Sequence, residues 1–209
     1  MDDLTEAAIA LRALPPSCGP VRLVAIDGHA GSGKSTFASR LAAALGGAPV
    51  LRLDDLATHD AFFDWTRRLA DEVLGPLSRG ATARYAPYDW TSRRFRAPRP
   101  LPPAPVVLIE GVGAGRAAVR PSLARLLWMD RGAEESWQRG RERDGSSLSA
   151  FWDGWTRAET RHFAADPSRP FAEVLVREWQ EGYKWMPGTP AIAPQVEPVT
   201  DSDGTFPPY

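Results

Sequence analysis

Nine consecutive residues, Gly28-His29-Ala30-Gly31-Ser32-Gly33-Lys34-Ser35-Thr36, combine the types and spacing that grip phosphate. The glycines of a Gly-x-x-x-x-Gly-Lys-Ser/Thr run let the backbone turn its N–H groups inward around phosphate oxygens, and a helix starting there adds its positive end. Lys34 would then reach the outer phosphates, and the Ser35 hydroxyl would ligate a magnesium ion bridging them. At about 4 Å and an effective dielectric of roughly 20, a lysine charge is worth about 4 kcal/mol against one phosphate charge before desolvation. Only Lys34 and Lys184 are lysines among the 25 basic residues. With lysine so scarce, this composition yields the pattern by chance roughly 0.002 times in one chain. ATP and magnesium are therefore the expected cofactors.

A phosphate grip does not say where the phosphoryl group goes, because the same loop serves switches, motors and kinases. An acceptor hydroxyl loses a proton as it attacks, and a carboxylate within hydrogen-bond reach can take it. Asp54 and Asp55 close the next apolar run and stand where such a carboxylate is needed. The plainer alternative is that one caps the following helix and the other is solvated.

These residues need elements to position them. Val21–Asp27 is a short apolar run between Gly19-Pro20 and Gly28, which reads as a buried strand, and residues 34–45 read as an Ala/Leu-rich helix stopped by Gly46-Gly47. Further strands are expected over Pro49–Leu53, Val106–Ile109, Leu126–Met129 and, last, Val174–Val176, with helices over 3–14, 61–77, 133–144 and 147–165. Strands alternating with helices predict an α/β three-layer sandwich, a mostly parallel sheet with helices on both faces. The carboxyl ends of parallel strands line the ligand crevice, which is where Asp54 and Asp55 fall. Residues 1–185 read as one domain and the Pro-rich stretch 186–209 as an extended or disordered tail.

Composition excludes several classes. The 209 residues carry 25 Lys plus Arg against 26 Asp plus Glu, which gives no reason to expect nucleic acid or an anionic membrane as partner. One cysteine, Cys18, makes no internal bridge, no Cys/His cluster has zinc spacing, and a reducing cytoplasm is the expected home. No run reaches the roughly 18 apolar residues of a membrane span, and the start lacks the pattern of a signal peptide. The expected partner is a small-molecule acceptor, with homo-oligomerisation left open.

Taken together, Ile26-Asp27-Gly28 through Thr36 resembles the uridine kinase-like branch of the P-loop kinases, and later segments fall in that family's order. Leu53-Asp54-Asp55-Leu56 resembles its strand ending in a general base. Gly80 followed by Tyr85-Ala86-Pro87-Tyr88-Asp89-Trp90 resembles its nucleoside-touching segment, and Val106 to Gly111 its strand ending Glu-Gly. Arg139 to Asp144 resembles the lid, expected over about 137–150, and Phe171 to Val176 the closing strand. The resemblance spans about residues 21–178 and implies a P-loop NTPase fold with a small lid.

Carried over by position, the resemblance makes Asp54 the base, puts Asp55 with the substrate, and makes Glu110 a carboxylate holding magnesium through water. Glu110 could instead cap the glycine turn behind it. Arg139 and Arg143 share a helix face and could point at transferring phosphate oxygens, or belong to a solvated face paired with Glu135 and Glu142. Asp60, with Asp64 as competitor, stands where the family grips a ribose, and Tyr88 and Trp90 could stack a base or simply pack. Two departures fall on the acceptor side. Leu56-Ala57 replaces an aromatic pair, and Arg93 replaces a histidine common in relatives. Arg93, Arg94, Arg96 and Arg99 could reach an anionic acceptor or form a solvated basic loop. The implied activity is ATP-dependent phosphorylation of a hydroxyl on a nucleoside, uridine- or cytidine-like, or a similar small metabolite. The alternatives are a kinase of a non-nucleoside alcohol of the pantothenate or glycerate type and a non-catalytic nucleotide-binding module.

Overall fold

The computed structural model describes residues 3–180 and 182–188; most of the Pro-rich stretch expected over 186–209 lies outside the described residues. In chain order the elements that shape the cleft begin with α1 (Asp3–Ala13), β1 (Arg22–Asp27), α2 (Lys34–Ala44) and β2 (Val50–Arg52). A helical segment follows as α3 (Thr66–Arg68), a π-helical stretch (Leu69–Leu74) and α4 (Gly75–Ser78). Four short strands, β3 (Ala83–Tyr85), β4 (Tyr88–Asp89), β5 (Arg94–Phe95) and β6 (Arg99–Leu101), precede β7 (Val106–Glu110) and β8 (Arg125–Met129). The chain then forms α5 (Ala133–Asp144), α6 (Ser149–Ala165), β9 (Val174–Trp179) and β10 (Gly182–Pro187).

Six strands make one sheet in the order β10-β9-β8-β1-β7-β2, parallel except for β10. β1 is central, and Leu23 to Asp27 are all buried, as expected of a strand covered on both faces. Alternation along the strands divides the core. Leu23, Ala25, Val107 and Ile109 pack with Leu69, Val73 and Leu77 of the π-containing helical segment. Val24, Ile26, Val106 and Leu108 face Leu4 and Leu11 of α1 and Phe37 and Leu41 of α2. The result is the three-layer α/β sandwich that the alternation of elements predicts. Parallel register sets Ile26 beside Glu110 and Glu110 beside Arg52, so three strands end level at one edge of the sheet.

Two expectations need correction, and a third gains detail. The helix expected over 61–77 begins only at Thr66, after the loop in which Thr58 and Ala61 bridge, and its middle widens into a π turn. Val174–Val176 is not the last strand: it continues to Trp179 and turns back as β10, an edge strand whose Tyr183 and Trp185 pack on Phe37. The arginine-rich stretch after Trp90 is exposed throughout, as a solvated basic stretch is, and it is also ordered. It folds into two hairpin ladders, β3 with β6 and β4 with β5, held in part by Arg96 on Asp89 and Arg99 on Asp55.

Candidate active site

The turn from β1 into α2 is the phosphate loop. Gly31 and Gly33 have φ of +86° and +100°, values that L side chains rarely adopt, and a Cβ on Gly31 would stand 1.9 Å from the Ser136 carbonyl oxygen. Only glycine lets α5 pass so close to the loop. Lys34 is buried and its ammonium donates to the carbonyls of Gly28 and His29, both at 2.8 Å, which leaves a third proton for a ligand. Ala30, Gly31, Gly33, Lys34, Ser35 and Thr36 line a cavity of about 340 Å³.

Two carboxylates the sequence did not single out hold this loop in shape. Asp27, fully buried, accepts the N–H groups of Gly28 (2.7 Å), Gly113 (2.9 Å) and Gly115 (2.8 Å), pinning the loop to the turn after β7. Glu159 of α6, also fully buried, meets His29 Nδ1 at 2.8 Å and accepts from Ala30 N at 3.2 Å, Trp137 Nε1 at 2.9 Å and Trp155 Nε1 at 2.7 Å. Burial alone would push the Glu159 carboxyl up, but these donors and the Lys34 charge outweigh it and hold the carboxyl below its usual range. The available signal was Trp155 four residues before Glu159, one helix face carrying an indole donor and a carboxylate acceptor.

Glu110 ends β7 against the loop, and the Ser35 hydroxyl donates to its Oε1 at 2.9 Å. Burial and the nearby Asp54 charge push the Glu110 carboxyl up, against Lys34, Ser35 and Arg52. Asp54, in the short helical turn after β2, opens into the cleft, although the walls strip enough water to raise its carboxyl as well; Lys34 resists this and Asp55 adds to it. Two carboxylates, Glu110 raised in part by the Asp54 charge, and a serine hydroxyl form an all-oxygen donor set suited to magnesium. Among the described residues no cluster of three or more His, Cys, Asp or Glu side chains is arranged to hold a metal alone. A magnesium ion here would need phosphate oxygens and water to complete its shell, as is usual for nucleotide sites.

Arg139 and Arg143, on the last turns of α5, also line the phosphate cavity. Arg139 is paired with Glu178 at 2.8 Å and Arg143 forks onto Asp144 at 2.6 and 2.9 Å. Both pairs are largely exposed, and such pairs are worth at most about 1 kcal/mol, so either guanidinium can exchange its partner for phosphate. The stretch 137–150 comprises the end of α5, the turn at Gly145 (φ +78°) and the entry to α6.

A second cavity, about 530 Å³, shares Ala30, Asp54, Arg143, Trp152 and Trp155 with the first. Its remaining walls include His59, Trp90, Arg93 and Phe151. Of the residues expected at the substrate, Arg93 lines this cavity and three others do not. Asp55 faces a separate surface pocket, bound to Arg99 and Tyr85. Asp60 is exposed outside both cavities. Tyr88 turns its hydroxyl to His59 Nδ1 at 3.0 Å and its ring edge-on to Trp90. His59, Phe151, Trp152 and Trp155 take the wall positions instead. A larger groove of about 740 Å³ lies between α1 and β10 at the opposite, amino-terminal ends of β8 and β9, away from every residue of the phosphate loop.

No protein-family model matches the chain, and no curated protein matches it in sequence. Solved structures do. One is described as "a Possible Uridine Kinase from Bacillus stearothermophilus": TM-score 0.54, 17% identity, covering 76% of this chain and 94% of that one. Another is described as a "putative fructose transport system kinase from Silicibacter sp. TM1040": TM-score 0.51, 21% identity, covering 77% of this chain and 89% of that one. The fold is that of the P-loop kinases. Among the described residues no helix is long and apolar enough to cross a membrane.

Proposed function

We propose that this protein transfers the terminal phosphoryl group of ATP to a hydroxyl of a small, nucleoside-sized acceptor. The observation that carries this reading is the meeting of two cavities at Asp54 and Arg143, one walled by phosphate-binding main chain and the other by aromatic side chains. A nucleotide-binding module without catalysis would need only the first.

In this reading the loop amides not already bonded within the protein, from Gly31 and Gly33 to Thr36, and the Lys34 ammonium hold the triphosphate, and Ser35 and Glu110 are the residues that would hold magnesium, directly or through water. A magnesium ion held there would supply neutralisation of phosphate charge. Asp54 takes the proton from the acceptor hydroxyl; burial raises its pKa, which makes its carboxylate a stronger base than an ordinary one. Arg139 and Arg143 leave Glu178 and Asp144 to meet the oxygens of the transferring group. The likeness of fold to a structure described as a uridine kinase supports a nucleoside acceptor. The placement of Asp55 and Asp60 outside the acceptor cavity favours the second reading, a non-nucleoside alcohol, because neither is placed to grip a ribose diol.

Titration calorimetry with ATP and magnesium, followed by an ADP-release screen over nucleosides, vitamins and sugar acids, tests the reading. Asp54→Asn should lower kcat about 100-fold or more while ATP affinity stays near wild type. Unchanged turnover would remove Asp54 from the mechanism. ATP binding without transfer to any acceptor would leave the non-catalytic module.

A further inference from the structure

The polar groups around the acceptor cavity are mostly committed to one another. Trp90 Nε1 donates to the Asp54 carbonyl at 3.0 Å and Trp152 Nε1 to Asp144 at 3.2 Å, while Trp155 is held by Glu159. Asp144 is further occupied by the Arg143 fork. His59 is bonded to Tyr88, and burial together with the Arg93 charge keeps its pKa low, so it adds no positive charge at neutral pH.

Arg93 differs from its neighbours. Arg96 is forked onto Asp89 and Arg99 is bound to Asp55; among the described residues the Arg93 and Arg94 side chains have neither a hydrogen-bonding nor an ionic partner, and of these two only Arg93 lines the cavity. Its backbone has φ +54°, a left-handed conformation that glycine or asparagine would adopt more readily at the end of a hairpin loop. The loop has little freedom to relax. Asp89 accepts the N–H groups of Thr91 and Ser92 at 2.9 and 3.1 Å, and Arg96 clamps the same carboxylate at 3.0 and 2.6 Å. A long, exposed cation at a strained position, with no protein partner and lining a cavity of indole and phenyl walls, is free to pair with an anionic ligand there.

We propose that the acceptor itself is anionic: it carries a carboxylate or phosphate that Arg93 binds, an apolar or planar body held between Trp90, Phe151 and Trp152, and the hydroxyl that Asp54 deprotonates. This rests on the kinase reading above and narrows its substrate class. Arg93 is on this account the specificity-determining residue, distant in sequence from every residue that handles the donor.

Matched pairs of acceptors test it: orotidine against uridine, hydroxymethylbenzoate against benzenedimethanol, and glycerol phosphate against glycerol. The wild-type enzyme should prefer the charged member of at least one pair, and the three pairs separate carboxylate from phosphate and planar from small bodies. Arg93→Gly suits the left-handed backbone, so its melting temperature should be unchanged or higher. Its KM for the preferred anion should rise about tenfold to a hundredfold, with the KM for ATP and for the neutral partner unchanged, and Arg93→Lys should recover part of the loss. Equal use of charged and neutral members, or an anion KM insensitive to Arg93→Gly, overturns the charge assignment and leaves the kinase reading standing. Absence of ADP release with every acceptor, in protein shown by calorimetry to bind ATP and magnesium, overturns the kinase reading and this inference with it.

Discussion

The donor and acceptor halves of the cleft meet at Asp54 but are built by different means. On the donor side the working groups are main-chain amides, fixed by positive-φ glycines and by the buried carboxylates Asp27 and Glu159. On the acceptor side they are side chains from the turn after β2, the β4–β5 loop and α6, converging from positions as far apart as Asp54 and Trp155. A backbone cradle is tied to a short sequence pattern because a Cβ in the wrong place destroys it. A side-chain cavity is not, since many residue sets produce similar walls. The donor half can therefore stay constant while the acceptor half changes its ligand.

Glu159 offers the strongest way to break that division, because it bonds Ala30 of the donor loop, Trp137 of α5 and Trp155 of the shared wall. Glu159→Ala leaves these N–H donors buried without acceptors, at a cost of about 3 kcal/mol or more, a fall in Tm of roughly 10 °C. Glu159→Gln keeps the shape but puts an amide among donors. It should raise the KM for ATP severalfold with a smaller effect on the acceptor. Equal changes in both constants would show that the two halves respond as one unit.

His162 sharpens the comparison from the donor side. It stacks on Phe63, accepts from Arg116 Nη2 at Nδ1 (3.1 Å) and lies against Gly113, part of the turn that Asp27 pins to the phosphate loop. Burial and the Arg116 charge lower its pKa to about 4 from the ordinary 6.5. The unfolded chain therefore binds a proton first as pH falls, so stability is full above pH 6.5 and is lost between there and about pH 4, by at most about 3 kcal/mol. Urea melts at the two ends of this window should show a smaller loss in His162→Gln. An equal loss in both proteins would assign the acid sensitivity elsewhere.

How far the sequence exposed this arrangement follows the same division. The strand, loop and helix around Gly28 to Thr36 were legible because periodicity, glycine spacing and a scarce lysine agreed. The parallel sheet covered by helices followed from alternating elements, whereas its strand order was not read from the sequence and β10 was missed, because an antiparallel edge strand amid prolines carries no long apolar run. The structure brings Glu110 to Ser35, and Arg139 and Arg143 to the phosphate cavity, positions for which strand ends and helical spacing gave a reason. Asp60 and Tyr88 were placed by resemblance alone, and the structure puts at the wall Trp90, the other stacking candidate of that segment, together with His59, which the sequence reading did not name. Neighbours in sequence point opposite ways in a turn, which no spacing rule resolves.

The smallest expected effect concerns the seam. Asp54 feels Lys34 from the donor side, which lowers its pKa, and Asp55, which raises it; burial raises it more than either. A general base works only when ionised, so kcat/KM should fall as pH drops through a value above the usual carboxylate range. Asp55→Asn removes the repelling charge without touching a cavity-lining side chain, because Asp55 faces Arg99 and Tyr85 in a separate pocket. The acid limb of the variant should therefore move to lower pH, with kcat on the plateau above it unchanged. A limb that moves upward would contradict the sign of the Asp54–Asp55 interaction. One that stays fixed would mean that Lys34 and burial alone set the base, making the seam a property of the donor half rather than of the boundary between the two.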